Sequence, residues 1–189
     1  MPGDDLDHID AWIAEAKADE AASARMRERW LTQQAGEQAR FDLVLSDAAA
    51  RGLTVRVRTA AAAHAGRITA VGHDFVEVRT TRGTTVLVLT RAIAVVETAS
   101  GAALGGGREP DNDVKEQENA VGEWLSDRLA DAAPDRPLVE LVATGSERVV
   151  GELRAVGVDV VTVRTASSPP AECYVPLDSV SEVTFLGSG

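Results

Sequence analysis

With one cysteine, Cys173, the chain has no internal disulfide. Aromatic residues make up 4% of it, too few to pave a surface with stacking platforms for bases. Its three histidines, His8, His64 and His73, lie in three different contexts and with a lone cysteine assemble no four-ligand metal site. No apolar run approaches the roughly twenty residues of a membrane span. The opening MPGDDLDHID is acidic and polar, unlike a cationic signal peptide with an apolar centre. These absences point to a soluble cytoplasmic protein. The glycine triplet at 105–107 is not followed by Gly-Lys-Ser/Thr, so it is not a phosphate loop. Asp111-Asn112-Asp113 starts like a calcium loop, but Glu116 stands where that loop needs glycine. No serine occupies a nucleophile elbow. No cofactor, metal or catalytic residue is expected, and the chain reads as a non-enzyme.

What is present is a duplication. GRITAVGHDFVEVRT at 66–80 returns as GELRAVGVDVVTVRT at 151–165, with nine of fifteen positions identical. Leu53 with Leu138, Val57 with Val142 and Thr59 with Thr144 extend the match upstream at the same offset, and Leu45-Ser46-Asp47 is echoed by Leu125-Ser126-Asp127. The repeated unit is a helix followed by five strands. Alternation places strands at 53–58, 64–71, 74–80, 85–89 and 93–97, then at 138–143, 148–156, 159–164, 172–175 and 180–185, with a one-residue insertion near Ser168, Pro169 and Pro170. Gly66 and Gly151 mark a sharp bend in the long second strand, where a missing Cβ is tolerated best. Gly72 and Gly157 mark the following turn, where a positive φ is expected, and Asp74 and Asp159 are placed to accept turn amides.

Helices precede the copies. Residues 5–31 carry Ile9, Trp12, Ile13 and Ala16, then Met26, Trp30 and Leu31, at helical spacing. This long helix has only a weak apolar stripe, so Trp12, Ile13, Trp30 and Leu31 are candidate partner-binding residues, docking within the chain or on another protein. A second helix at 37–51 presents Phe41, Val44, Leu45 and Ala48 on one face, with Gly52 as its C-terminal cap. A third presents Trp124, Leu125, Leu129 and Ala132. The domain reading is a helical arm at 1–36, a first helix-plus-barrel repeat at 37–98, a glycine-rich linker at 99–113 and a second repeat at 114–189. The fold expected is α+β: two tandem five-stranded antiparallel barrels, each preceded by a helix, plus the long N-terminal helix.

Net charge is −11, unevenly spread. Residues 52–98 carry 6 basic and 3 acidic side chains, against 6 and 11 in 1–51 and 3 and 9 in 99–135. A basic module flanked by acidic segments disfavours indiscriminate nucleic-acid binding.

The order helix, five strands, Gly-x-h-x-x-h-Gly-x-Asp (h, apolar), with Val175-Pro176-Leu177-Asp178-Ser179-Val180 closing the second copy, resembles the Sm-like family of small barrels, including Hfq-type chains, and SH3-like barrels more broadly. The first copy's Asp74-Phe75-Val76 and Arg91-Ala92-Ile93 are similar to the corresponding Hfq-type segments. The resemblance implies an RNA site in the loops of the first repeat, with His73 and Arg91 foremost and Arg56, Arg58, Arg79 and Arg82 on phosphates. It also implies edge pairing between fourth and fifth strands, so that three tandem chains would close a ring. The layout also resembles a bacterial family often labelled as Fis-like transcriptional regulators. That label implies a helix-turn-helix, which the acidic N-terminal helices and strand-rich C-terminus do not supply. Two functions are therefore carried forward: a regulatory adaptor for a protein partner, and an RNA- or DNA-associated regulator acting through the first repeat.

Overall fold

The computed structural model describes residues 40–98 and 123–187, together with Met26. The helix expected over 5–31, with Trp12, Ile13, Trp30 and Leu31, lies outside the described residues. So does the linker at 99–113.

Helix α1 (Phe41–Ala50) leads into β1 (Thr54–Arg58), β2 (Ala63–Val71), β3 (Phe75–Thr80), β4 (Thr85–Leu89) and β5 (Val95–Thr98). Helix α2 (Leu125–Ala132) leads into β6 (Leu138–Ala143), β7 (Arg148–Val156), β8 (Val160–Thr165), β9 (Glu172–Pro176) and β10 (Val180–Leu186). All ten expected strands are present. The two closed barrels are not: the strands form one antiparallel sheet in the order β5-β1-β2-β3-β4-β10-β6-β7-β8-β9. The expectation of tandem barrels is therefore corrected to a continuous ten-stranded open sheet with two short helices.

The reason lies in β4. Its sequence TVLVL has almost no polar face, and Val86, Leu87, Val88 and Leu89 are all buried. A strand with one core-facing side and one wet side alternates; a strand covered on both faces reads as an unbroken apolar run. Val86 and Val88 join the first core, with Leu45, Val55, Val57, Ile68, Val76 and Val78. Leu87 and Leu89 join a second core, with Phe75, Leu125, Leu129, Leu141, Leu153, Val163 and Val183. The ladder to β10 keeps the two sides in step, pairing Val88 with Glu182, Leu87 with Val183 and Val86 with Thr184. The sheet thus has its first core on one face and its second core on the other, and the two meet at β4. Leaving β4 as a barrel edge would have exposed Leu87 and Leu89 and a row of unpaired backbone groups.

The duplicated glycines are explained by close packing. At Gly66 a Cβ would collide with the Arg79 carbonyl on β3, and at Gly151 with the matching Arg164 carbonyl on β8. Gly72 does not adopt the positive φ expected of it, and neither does Gly157; the positive-φ glycines are Gly52, Gly83, Gly145 and Gly187. At Gly72 the constraint is the Phe75 ring and the Glu123 carbonyl, which a Cβ would meet at 2.7 Å. Gly52, at φ 56°, ends α1 as expected, and its N–H donates to the Ala49 carbonyl at 2.9 Å.

Gly66→Ala is expected to lower unfolding free energy by about 2–3 kcal/mol, because β3 backbone rather than a movable side chain must yield. Urea denaturation of Gly66→Ala and Gly151→Ala measures this. Wild-type stability in both variants would remove the close approach as the reason for the repeated glycine.

Candidate functional site

Two places bring polar side chains together: the seam between the halves, and the outward face of the first half.

At the seam, Glu182 on β10 is the only charged side chain that is buried among the described residues. Its carboxylate accepts from His64 Nε2 on β2 at 2.9 Å through one oxygen and from the Thr59 hydroxyl through the other. Burial pushes this carboxyl up, but the hydrogen bonds from His64 and Thr59, then the charges of His64 and Arg148, outweigh that effect and hold it below its ordinary 4.5. The Thr59 hydroxyl donates to the acid rather than to the imidazole, so the trio lacks the nucleophile-to-base bond of an acyl-transfer relay. It is a fastener, joining β1 and β2 of the first half to β10 of the second.

Arg91 is a second fastener. Its Nη2 donates to the carbonyls of Leu177 at 3.0 Å, Asp178 at 2.7 Å and Val180 at 3.0 Å, fixing the 3-10 turn before β10. His73 and Asp74 form a third. Asp74 Oδ1 accepts the Leu125 N–H at 2.8 Å, supplying from the first half an N-terminal cap for α2. His73 N–H donates to the Glu123 carbonyl at 2.8 Å, and its ring stacks on Trp124 with centroids 4.9 Å apart. Glu77 pairs with Arg128 on α2 at 3.0 Å.

The candidate nucleic-acid residues therefore separate. His73 and Arg91, foremost at the sequence level, hold the second half in place. Asp74 caps a helix, whereas an adjacent turn amide was its expected partner. Arg56 and Arg58 on β1 and Arg79 on β3 share the outward face of the first half, and Arg82 sits at the β3–β4 turn beside the seam. Arg67 on β2, not singled out from the sequence, completes the group: it stands directly opposite Arg79 in the β2–β3 register. Like charges directly opposed destabilise a sheet by about 0.2–1 kcal/mol, a strain that a bound anion would relieve. Arg58 has Glu97 at 3.2 Å in an exposed pair, and Arg79 reaches the Thr85 hydroxyl at 3.4 Å. Arg56 and Arg67 make no side-chain hydrogen bond or ion pair to any described residue. The corresponding outward face of the second half, on the other side of the sheet, holds acids already paired, Glu140 with Arg148 and Glu152 with Arg154 at 3.2 Å.

That face of the second half also exposes apolar surface. Leu138 lies opposite Glu152, and Tyr174 lies opposite Thr162, with Val150 between Gly151 and Val149 on β7. Their exposures are 43% for Leu138, 46% for Val150 and 67% for Tyr174. Among the described residues, no three His, Cys, Asp or Glu side chains cluster to hold a metal ion. No described helix is long and apolar enough to cross a membrane.

No protein-family model matches the chain, and no curated protein matches it.

Sequence reasoning missed Glu182, His64 and Thr59 as a unit. The available signal was the comparison of copies: once the insertion is allowed for, Glu182 aligns with the apolar Val96. A carboxylate where the duplicate carries valine marks a position with a different neighbour.

Glu182→Gln is expected to cost about 2 kcal/mol at neutral pH, since a charge-assisted acceptor for two donors is replaced by an amide. Because the folded-state pKa lies below the unfolded one, this stabilisation is complete above the ordinary 4.5 and is lost as pH falls through the folded-state value beneath it. Urea midpoints of wild type and variant should converge as pH drops from about 7 to about 3. A gap that stays constant over that range would mean that folding leaves the Glu182 carboxyl where it stands in the unfolded chain.

Proposed function

We propose that the protein is a non-enzymatic adaptor whose second half engages a protein partner, in a regulatory and cytoplasmic role. The observation that carries this reading is the outward face of the second half, where Leu138, Val150 and Tyr174 stay exposed among side chains that are already paired. Leu138 and Val150 are diagonal neighbours on β6 and β7, and Tyr174 stands apart from them on β9 of the same face, with Glu152 and Arg164 in the rows between. Exposed aliphatic and tyrosine side chains set in charged surface are what protein interfaces use. Among the described strands β9, at the end of the sheet, pairs only with β8, so its other edge presents backbone groups to which a strand can be added as far as Pro176, which has no N–H. The rigid seam supports the same reading, because surfaces on the two halves keep a fixed relation.

A second reading is favoured by a separate observation. Arg56 and Arg67 have no partner among the described residues, and Arg67 opposes Arg79, so the first half offers phosphate contacts to RNA or DNA. Its His73 and Arg91 are committed elsewhere, which makes it a backbone-contact surface.

Purification of the full chain from its host, with and without nuclease, separates the two. The adaptor reading predicts a protein partner that survives nuclease and is lost from the double variant Leu138→Glu, Tyr174→Glu. Co-purifying nucleic acid that is lost from Arg56→Glu, Arg67→Glu, with no effect of the Leu138 and Tyr174 changes, would replace it with the second reading.

A further inference from the structure

We propose that the cleft beside the seam is a binding site for a small phosphomonoester carrying hydroxyl groups. The cleft has a volume of about 360 Å³ and is walled by both halves: His64 on β2, the β3–β4 turn with Thr81, Arg82 and Thr84, and Glu140 and Thr184 from the second half. That volume falls within the range of small-molecule sites.

Its donors are uncommitted. The Arg82 guanidinium and the hydroxyls of Thr81, Thr84 and Thr184 make no hydrogen bond to any described residue. No described side-chain polar atom is buried without a partner, so these groups are open to solvent. The backbone that carries them is nonetheless fixed. Thr80 Oγ1 accepts the Thr84 N–H at 3.1 Å, the Thr80 carbonyl accepts the Gly83 N–H at 2.9 Å, and Gly83 takes φ 83° to make the turn. His64 is held through Nε2 by Glu182, and its other ring nitrogen has no partner among the described residues. A guanidinium with hydroxyls around it offers donors from several directions. A tetrahedral phosphate with three terminal oxygens uses them all, whereas the two coplanar oxygens of a carboxylate are satisfied by the arginine fork alone. On the opposite wall Glu140, neutralised by Arg148, can accept from ligand hydroxyls.

The duplication supports the assignment. Arg82 has Ser167 as its counterpart, His64 has Val149, and Glu182 has Val96. Ser167 bonds within its own, longer turn, to Thr165 and Pro169, whereas the Arg82 side chain makes no hydrogen bond to any described residue.

The test is isothermal titration of the full chain with ribose 5-phosphate, using ribose and citrate as comparisons. Ribose 5-phosphate should bind saturably, ribose should give no saturable heat, and citrate should bind at least tenfold more weakly. Arg82→Ala should weaken ribose 5-phosphate at least tenfold, while Arg164→Ala, exposed on β8 of the second half, leaves it unchanged. Should Arg82→Ala fail to fold by circular dichroism, Thr184→Val is expected to weaken binding severalfold and serves in its place. No saturable binding of ribose 5-phosphate, equal binding by citrate, or a folded Arg82→Ala that binds like wild type would each overturn the proposal.

Discussion

The organisation of the molecule depends on one constraint: β4 is apolar on both faces and must be covered twice. Val86 and Val88 need the first core; Leu87 and Leu89 need the second. The β4–β10 ladder is the arrangement that meets both needs while pairing the strand's backbone. Once it forms, the duplicated halves cannot be separate beads. They become one sheet with cores on opposite faces, and the first half supplies part of the second core through Phe75, Leu87 and Leu89.

The polar seam follows from that geometry. Where a sheet passes from one core to the next, some side chains are trapped that face neither core cleanly. Glu182 is such a position, and its burial is tolerated because His64 and Thr59 satisfy both oxygens. Arg91 on three carbonyls and Asp74 on the α2 terminus act at the same boundary. The arrangement divides labour between the copies. Residues at the seam join, the arginine face of the first half keeps Arg56 and Arg67 without a partner among the described residues, and the corresponding face of the second half carries paired acids and exposed apolar groups.

Much of the local structure was legible in the sequence, because short strands with alternating residues and turn glycines carry their own signal. The segments 85–89, 138–143 and 148–156 match β4, β6 and β7 residue for residue. Gly66 and Gly151 were legible as special positions, but for a bend that closes a barrel; the constraint found is the carbonyl of the neighbouring strand, which a Cβ would meet. What was not legible was closure. Five strands in order suit a barrel and an open sheet equally, and the deciding evidence was the missing alternation in TVLVL, set against the alternating ECYVP of β9. The site residues failed for a related reason. His73 and Arg91 look like free loop residues in a one-copy reading, and only the contact between halves commits them, at the surface, to Trp124 and to the turn before β10. Arg67 escaped notice because its importance lies in standing opposite Arg79, a matter of register.

The most direct measurement of the central claim is amide hydrogen exchange resolved by strand. If β4 and β10 are interior strands of one sheet, their amides should exchange as slowly as those of β2, β3 and β7, while the outer amides of the end strands β5 and β9 exchange much faster. Exchange of β4 and β10 at the rate of β5 and β9 would contradict it, and would mean that the two halves are separate units in solution.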